Sequence, residues 1–186
     1  MKKIIAVVGM PGSGKSEAVK IFEEQGFKRI YFGEPVFERM KKEGLEINEN
    51  NEKMIREKMR EEGGMGVMAK LSISKIESLL KVGDVVIESM YSWEEYKILK
   101  EKYGDKFKVL LIYASPSTRY TRLGKREERS LTSEESEKRD YAQIEHLNTG
   151  GPIAMADFTI VNEDSLGELK EKAEKIINKI NSRRYI

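Results

Sequence analysis

The chain has 186 residues, enough for one domain with a sizeable core, and 35% of them are charged. Its 34 basic and 32 acidic residues leave a net charge of only +2, too little field to steer it onto nucleic acid or an acidic membrane surface. There is no cysteine, which excludes disulfides and thiolate chemistry, the single histidine argues against a zinc site, and the Lys- and Glu-rich composition resembles that of heat-adapted proteins.

Lys2 and Lys3 lead into the apolar run Ile4-Ile5-Ala6-Val7-Val8, which reads as a buried strand. The run is too short for a secretory leader, so a cytoplasmic location is expected, and no stretch is long enough to span a membrane. Gly9-Met10-Pro11-Gly12-Ser13-Gly14-Lys15-Ser16 follows and fits G-x-x-x-x-G-K-[ST], the phosphate-cradling P-loop. Glycines let backbone amides face phosphates, and the helix that follows adds free N–H donors and a positive dipole end. Lys15 is placed to neutralise β/γ-phosphate charge and the Ser16 hydroxyl to ligate Mg²⁺. Ala18, Ile21 and Phe22 give the helix its apolar side, and Gln25-Gly26 closes it.

Four further runs read as strands: Arg29 to Phe32, Val85 to Ile87, Val109 to Tyr113 and Phe158 to Val161. Helical segments separate them, the βαβ rhythm of a parallel sheet covered on both faces. Residues 34–82 form a helical excursion, with breaks expected at Gly44, Asn48 to Asn51 and Gly63-Gly64, and with Met68, Leu71, Lys75, Ile76 and Leu79 at helical spacing. Residues 127–151 form a second excursion, a lid whose helix is opened by the capping pair Thr132 and Glu135 and ended at Asn148 to Pro152. The expected core is therefore 1–33, 83–126 and 152–186, in one domain. A capping pair, Ser165 and Glu168, opens the last helix, whose stripe is Leu166, Leu169, Ala173, Ile176, Ile177 and Ile180.

Glu88 ends the third strand, where a parallel sheet opens onto its ligand crevice, and can hold Mg²⁺ beside Ser16. Glu34 holds the matching place after the second strand. It can face an acceptor, or simply complement the dipole of the helix it begins. Ser115-Pro116 starts a helix on which Arg119, Arg122, Arg126 and Arg129 share a face, either as cations for a transferred phosphoryl group or as exposed ion-pair partners. Arg139 is either a clamp on that group, with Asp140 holding the lid, or a surface partner of Glu135. His146 reads as a surface residue, and Trp93 as a packing one. Asn162-Glu163-Asp164 follows the last strand, where a base can rest on the backbone or a turn be formed.

On GMPGSGKS, TRYTRLGKR, KRD and IAMADFTIVNEDS the chain resembles the adenylate-kinase and dephospho-CoA-kinase branch of P-loop kinases. It is more similar still to an archaeal family of adenylate-kinase-related proteins. The resemblance implies an α/β P-loop NTPase sandwich of nucleoside-monophosphate-kinase type, with five parallel strands ordered 2-3-1-4-5. It implies ATP on Gly9 to Ser16, Arg126 and Arg139 on the lid, Arg122 stacked on adenine, and the loop at Asn162 near the base. The acceptor side departs from adenylate kinases. Glu34 is followed three residues on by Phe37 and Glu88 by Ser89-Met90-Tyr91, where arginines for the acceptor phosphate are expected. Arg39 is the nearest substitute, one turn on, and Tyr91 the residue facing the acceptor. Dephospho-CoA kinases need an acidic base near a sugar hydroxyl, a part open to Glu34. The sequence thus points to an ATP- and Mg²⁺-dependent kinase, monomer or homodimer, for a nucleotide or nucleotide-like small molecule; the competing reading is an ATP-binding switch with only slow hydrolysis.

Overall fold

Five strands, β1 (Ile4–Val8), β2 (Lys28–Tyr31), β3 (Val85–Glu88), β4 (Phe107–Tyr113) and β5 (Phe158–Val161), pair in parallel in the order β2-β3-β1-β4-β5. The structure is a computed structural model describing residues 2–182; the ends of the expected span, residue 1 and residues 183–186, lie outside the described residues. Nine helices occur among the described residues: α1 (Lys15–Glu24), α2 (Glu34–Lys42), α3 (Glu49–Gly63), α4 (Val67–Leu80), α5 (Trp93–Tyr103), α6 (Pro116–Gly124), α7 (Ser133–Glu145), α8 (Gly150–Ala154) and α9 (Leu166–Asn181).

The central strand β1 is buried throughout, as a strand covered on both faces must be. Ile5 and Val7 point into a core closed by Ala18, Val19, Ile21 and Phe22 of α1 and by Leu169, Ala173, Ile177 and Ile180 of α9. Ile4, Ala6 and Val8 point the other way, into a core closed by α2 to α5 through Met40, Ile55, Met59, Ile76 and Leu99. Register is in step across the sheet: Ile4 lies opposite both Val85 and Phe107, and Tyr31 and Val7 both lie opposite Glu88. The carboxyl ends of β1, β2 and β3 therefore stop at one level, and the P-loop, Tyr31 and Glu88 line one crevice.

Several expected details are corrected. The pairing of β2 runs from Lys28 to Tyr31, with Phe32 N–H still donating to the Glu88 carbonyl, and β4 begins two residues early, at Phe107. The break expected at Asn48 to Asn51 falls earlier, over residues 43–48: the Asn48 side chain accepts the Asn51 N–H and caps the start of α3. Gly150 to Ala154, expected as a helix terminus, is the short helix α8, whose Gly151 packs against the Trp93 ring. Leu71 and Leu166, assigned to apolar stripes, are 55% and 60% exposed. Ser165 accepts the Glu168 N–H, but the Glu168 carboxylate turns to Lys172 and does not complete the pair; the box at Thr132 and Glu135 is complete. The arginine stripe is broken. Leu131 N–H takes the Leu123 carbonyl and turns the chain out of the helix, so α6 ends at Gly124, with Arg126 and Arg129 beyond it.

Candidate active site

The P-loop runs from the end of β1 to the start of α1, and three of its glycines are needed in place, among them Gly9, with φ +146° and a Cβ that would lie 2.3 Å from the Ile112 carbonyl oxygen. Gly12 has φ +81°, and a Cβ there would lie 2.7 Å from the Arg119 carbonyl oxygen. Gly14 has φ +98°, and its Cβ would lie 2.4 Å from Asn162 Nδ2. Within the loop Ser13 N–H donates to the Met10 carbonyl, and Lys15 Nζ reaches back to the same oxygen at 2.9 Å. Burial pushes the Lys15 ammonium down to about 7, helped by the positive charges of Arg119, Arg126 and Arg139 and opposed by Glu88. That environment suits a polyanion: cations around Lys15 outnumber the acids, with Arg119 paired to Asp140 and Glu88 opposing the rest.

Glu88 ends β3 with only 9% of its surface exposed. Ser16 Oγ donates to its Oε1 at 2.9 Å, and Arg29 Nε donates to its Oε2 at 2.7 Å. Ser16 Oγ and Glu88 Oε1 are two hard oxygens at the mouth of the loop, the donor type magnesium takes when phosphate oxygens and water supply the rest. Among the described residues no group of three or more His, Cys, Asp or Glu side chains stands ready for a metal. The Arg29 partnership was not legible in sequence, because it needs β2 laid beside β3.

A lattice of polar contacts locks the P-loop to α6, α7 and the β5–α9 turn. Arg119 is buried; its NH1 and NH2 donate to Asp140 Oδ1 and Oδ2 at 2.8 and 2.6 Å, the fork geometry of a strong ion pair. The same side chain donates to the Ala114 carbonyl and to Pro11 of the P-loop, and the Tyr120 hydroxyl also reaches Asp140. Arg119 is thus a structural anchor and not an open phosphate contact, and Asp140 ties α7 to it. Arg122 donates to the backbone carbonyls of Asn162 and Asp164. Asn162 is buried, with its Nδ2 on the Ser13 carbonyl at 2.8 Å, so its side chain braces the P-loop instead of lying open to a base. Glu163 receives the Ser115 N–H and the Thr118 hydroxyl, and so caps α6 from the turn.

Arg126 and Arg139 stand apart from this lattice. Both are exposed, and among the described residues neither guanidinium has a hydrogen-bond or ion-pair partner. Glu135, the neighbour that could have neutralised Arg139, is taken by Thr132. Both charges nevertheless act on Lys15. Arg129 goes elsewhere, to Glu49 and Glu52 of α3, bridging the 127–151 segment to the helices between β2 and β3.

On the far side of the crevice the expected residues are differently engaged. Glu34 sits in the first turn of α2 and pairs with Lys75 of α4. Arg39 donates to Glu43 at the end of its own helix and to Glu62 of α3, a contact that ties α2 to α3. Phe37 stacks on Tyr31, with ring centroids 6.2 Å apart. Tyr91 is half-buried and its N–H donates to Glu95, whose carboxylate with Ser92 forms a capping box at α5, a Ser-x-x-Glu signal present in the sequence and missed. His146 is exposed, as expected. A cavity of about 530 Å³ lies on the outer side of α6, lined by Ser117, Tyr120, Thr121 and Thr132 among others, with no P-loop residue in its wall.

A family model described as an AAA domain matches residues 8–148. A UPF0200 protein of Thermococcus kodakarensis is 34% identical over 184 residues, covering 97% of this chain and 99% of its own. Among solved structures, a dephospho-CoA kinase from Campylobacter jejuni superposes with a TM-score of 0.63 at 20% identity, covering 97% of this chain and 98% of its own. A shikimate kinase from Bacteroides thetaiotaomicron superposes with a TM-score of 0.61 at 12% identity, covering 97% and 99%. Identities this low speak to the fold, which is that of P-loop kinases. With its curated relatives matched along almost their whole length, the chain belongs to the UPF0200 family of archaeal proteins.

Proposed function

We propose that this protein is an ATP- and Mg²⁺-dependent phosphotransferase acting on a nucleotide or nucleotide-like small molecule. The observation that carries the reading is the pair of exposed, partnerless arginines, Arg126 and Arg139, whose charges converge on Lys15. Transfer of the γ-phosphoryl group forms a bond from an acceptor oxygen to phosphorus and breaks the bridging bond to the β-phosphate, leaving ADP. Charge spreads over the transferred oxygens as this happens, and fixed cations aimed at them lower the barrier. Lys15 and the amides of Gly9 to Ser16 bind the β- and γ-phosphates. Arg126 and Arg139 close over the group in transfer. Ser16 and Glu88 would hold magnesium, which would supply positive charge against the phosphate oxygens. Arg122, held against the turn after β5, is positioned to cover the adenine. Segment 127–151 acts as the lid, and Tyr91 and Glu34 border the acceptor. No helix among the described residues is long and apolar enough to cross a membrane, and a cytoplasmic enzyme is the expected form.

The dephospho-CoA and shikimate kinases among the structural neighbours favour a small-molecule acceptor over a polymer. The near-neutral charge of the chain agrees. A nucleotide switch is favoured by one observation, the engagement of Glu34 by Lys75 and of Arg39 by Glu43 and Glu62. ATP turnover measured with and without nucleoside monophosphates, dephospho-CoA or an oligonucleotide separates these readings. Stimulation by one small acceptor supports the kinase, acceptor-independent slow hydrolysis the switch, and stimulation by the oligonucleotide alone defeats both. Arg139→Ala should lower kcat by more than it weakens ATP binding; equal losses would make Arg139 a ground-state contact.

A further inference from the structure

Helix α3 buries Ile55 and Met59 against the sheet, and its neighbouring stripe, Glu52, Arg56 and Arg60, is half-buried. At i, i+4 spacing these three side chains lie along one edge of the helix. Arg56 acts electrostatically on the Tyr31 hydroxyl at the end of β2, as do Tyr91, Glu88 and Glu52. Arg60 lies within electrostatic range of Tyr91, Glu95 and Arg56. The charge of Arg56 thus bears on Tyr31 and that of Arg60 on Tyr91, the two tyrosines on the side where the resemblance to adenylate kinases leads one to expect arginines.

Arg60 is unusual in its bonding. Its Nε is buried without a hydrogen-bond partner, and among the described residues no carboxylate comes within ion-pair distance of its guanidinium. The acid that pulls hardest on it, Glu95, already accepts the Tyr91 and Ser92 N–H groups on Oε2. Burial and the like charge of Arg56 push the Arg60 guanidinium below its usual range, against the pull of Glu95. A desolvated, unneutralised guanidinium is costly to a fold unless a ligand supplies the missing charge. Its planar fork suits a carboxylate or a phosphate.

We infer that Arg60 and Arg56 form the anion-binding subsite of the acceptor, so that the acceptor is a small molecule carrying a carboxylate or phosphate group recognised from α3. This rests on the kinase reading above, and it moves acceptor recognition from the ends of β2 and β3 to the helix between them. Glu52, shared by Arg56 and the lid residue Arg129 at 3.9 and 3.7 Å, sits where an anion on Arg56 would free it for the lid.

The test uses the full chain loaded with magnesium and adenylyl-imidodiphosphate, so that the P-loop is filled, and titrates inorganic phosphate, AMP and malate by calorimetry. Phosphate and AMP report a phosphate-bearing acceptor, malate a carboxylate-bearing one. One class should bind, and Arg60→Met and Arg56→Gln should each weaken it by about tenfold or more. Arg60→Met should also leave the melting temperature unchanged or raised, because it removes a buried charge; a merely structural arginine would lower it. Arg60→Lys should retain partial affinity. Binding indifferent to both arginines, or no binding of any probe to the loaded protein, overturns the subsite while leaving the kinase reading standing. Failure of the analogue itself to bind overturns both.

Discussion

Replacing Asp140 by alanine tests whether the contact between α7 and the P-loop is a desolvated ion pair. Arg119 would keep its bonds to the Ala114 and Pro11 carbonyls but lose both donors aimed at Asp140, in a position only 4% exposed. Removing one partner of a buried pair costs about 3–5 kcal/mol, because the other charge stays desolvated. Unfolding entropy of roughly 2.1 cal/mol/K per residue makes ~0.4 kcal/mol per degree for a chain this long, so the melting temperature should fall by about 8–13 °C. Arg119 can escape part of the penalty if α7 lifts from α6, so amide exchange along Ser133–Glu145 should accelerate more than exchange in β1. Thermal unfolding by circular dichroism, with hydrogen exchange read by mass spectrometry, measures both. The double variant Arg119→Met, Asp140→Leu should recover most of the loss, since a matched apolar pair avoids the desolvation cost. A single variant that loses less than about 1 kcal/mol with unchanged exchange in α7 would show the pair to behave as a surface one, and the reasoning would fail.

Two further outcomes follow from the P-loop. Lys15, held down to about 7 by burial and three arginines, is mostly neutral in the free protein above that pH, whereas a bound triphosphate favours its charged form. ATP binding should therefore take up a proton, and affinity should fall as pH rises, by ~50-fold between pH 7 and 9; calorimetry in buffers of different ionisation enthalpy reads the uptake, and a flat profile refutes it. Gly14→Ala forces a side chain into φ +98° with its Cβ 2.4 Å from Asn162 Nδ2, which should cost about 1–2 kcal/mol of stability and loosen the Asn162 brace on Ser13. Weaker ATP binding together with a lower melting point is expected, and an unchanged affinity would count against the brace.

What the sequence made legible was local. Ile4–Val8 and Phe158–Val161 were read with their observed bounds, because a bounded apolar run needs nothing beyond itself to announce a buried strand. The P-loop, the cap at Ser115 and the box at Thr132 were legible for the same reason. Long-range contacts hid the rest. One backbone bond from Leu131 to Leu123 ends α6 and disperses an arginine stripe that looked continuous. Arg119, indistinguishable from Arg122 in the sequence, is buried only because Asp140 returns from the following helix to meet it. Arg29 meets Glu88 only once strand order is known. On α3, Arg56 and Arg60 follow the buried Ile55 and Met59 by one residue each, and only the burial of those two residues shows that the arginines lie at the edge of the packed face.

Radiolabel at the γ-position of ATP follows the phosphoryl group to a small anionic acceptor. Wild-type protein incubated with labelled ATP, magnesium and either AMP, dephospho-CoA or a hydroxycarboxylate should place label on one of these acceptors. Lys15→Ala should abolish that transfer while remaining folded, and Arg60→Met should reduce it by raising the acceptor's KM. Label found only in inorganic phosphate whatever acceptor is present, or transfer undiminished in Lys15→Ala, would contradict the account.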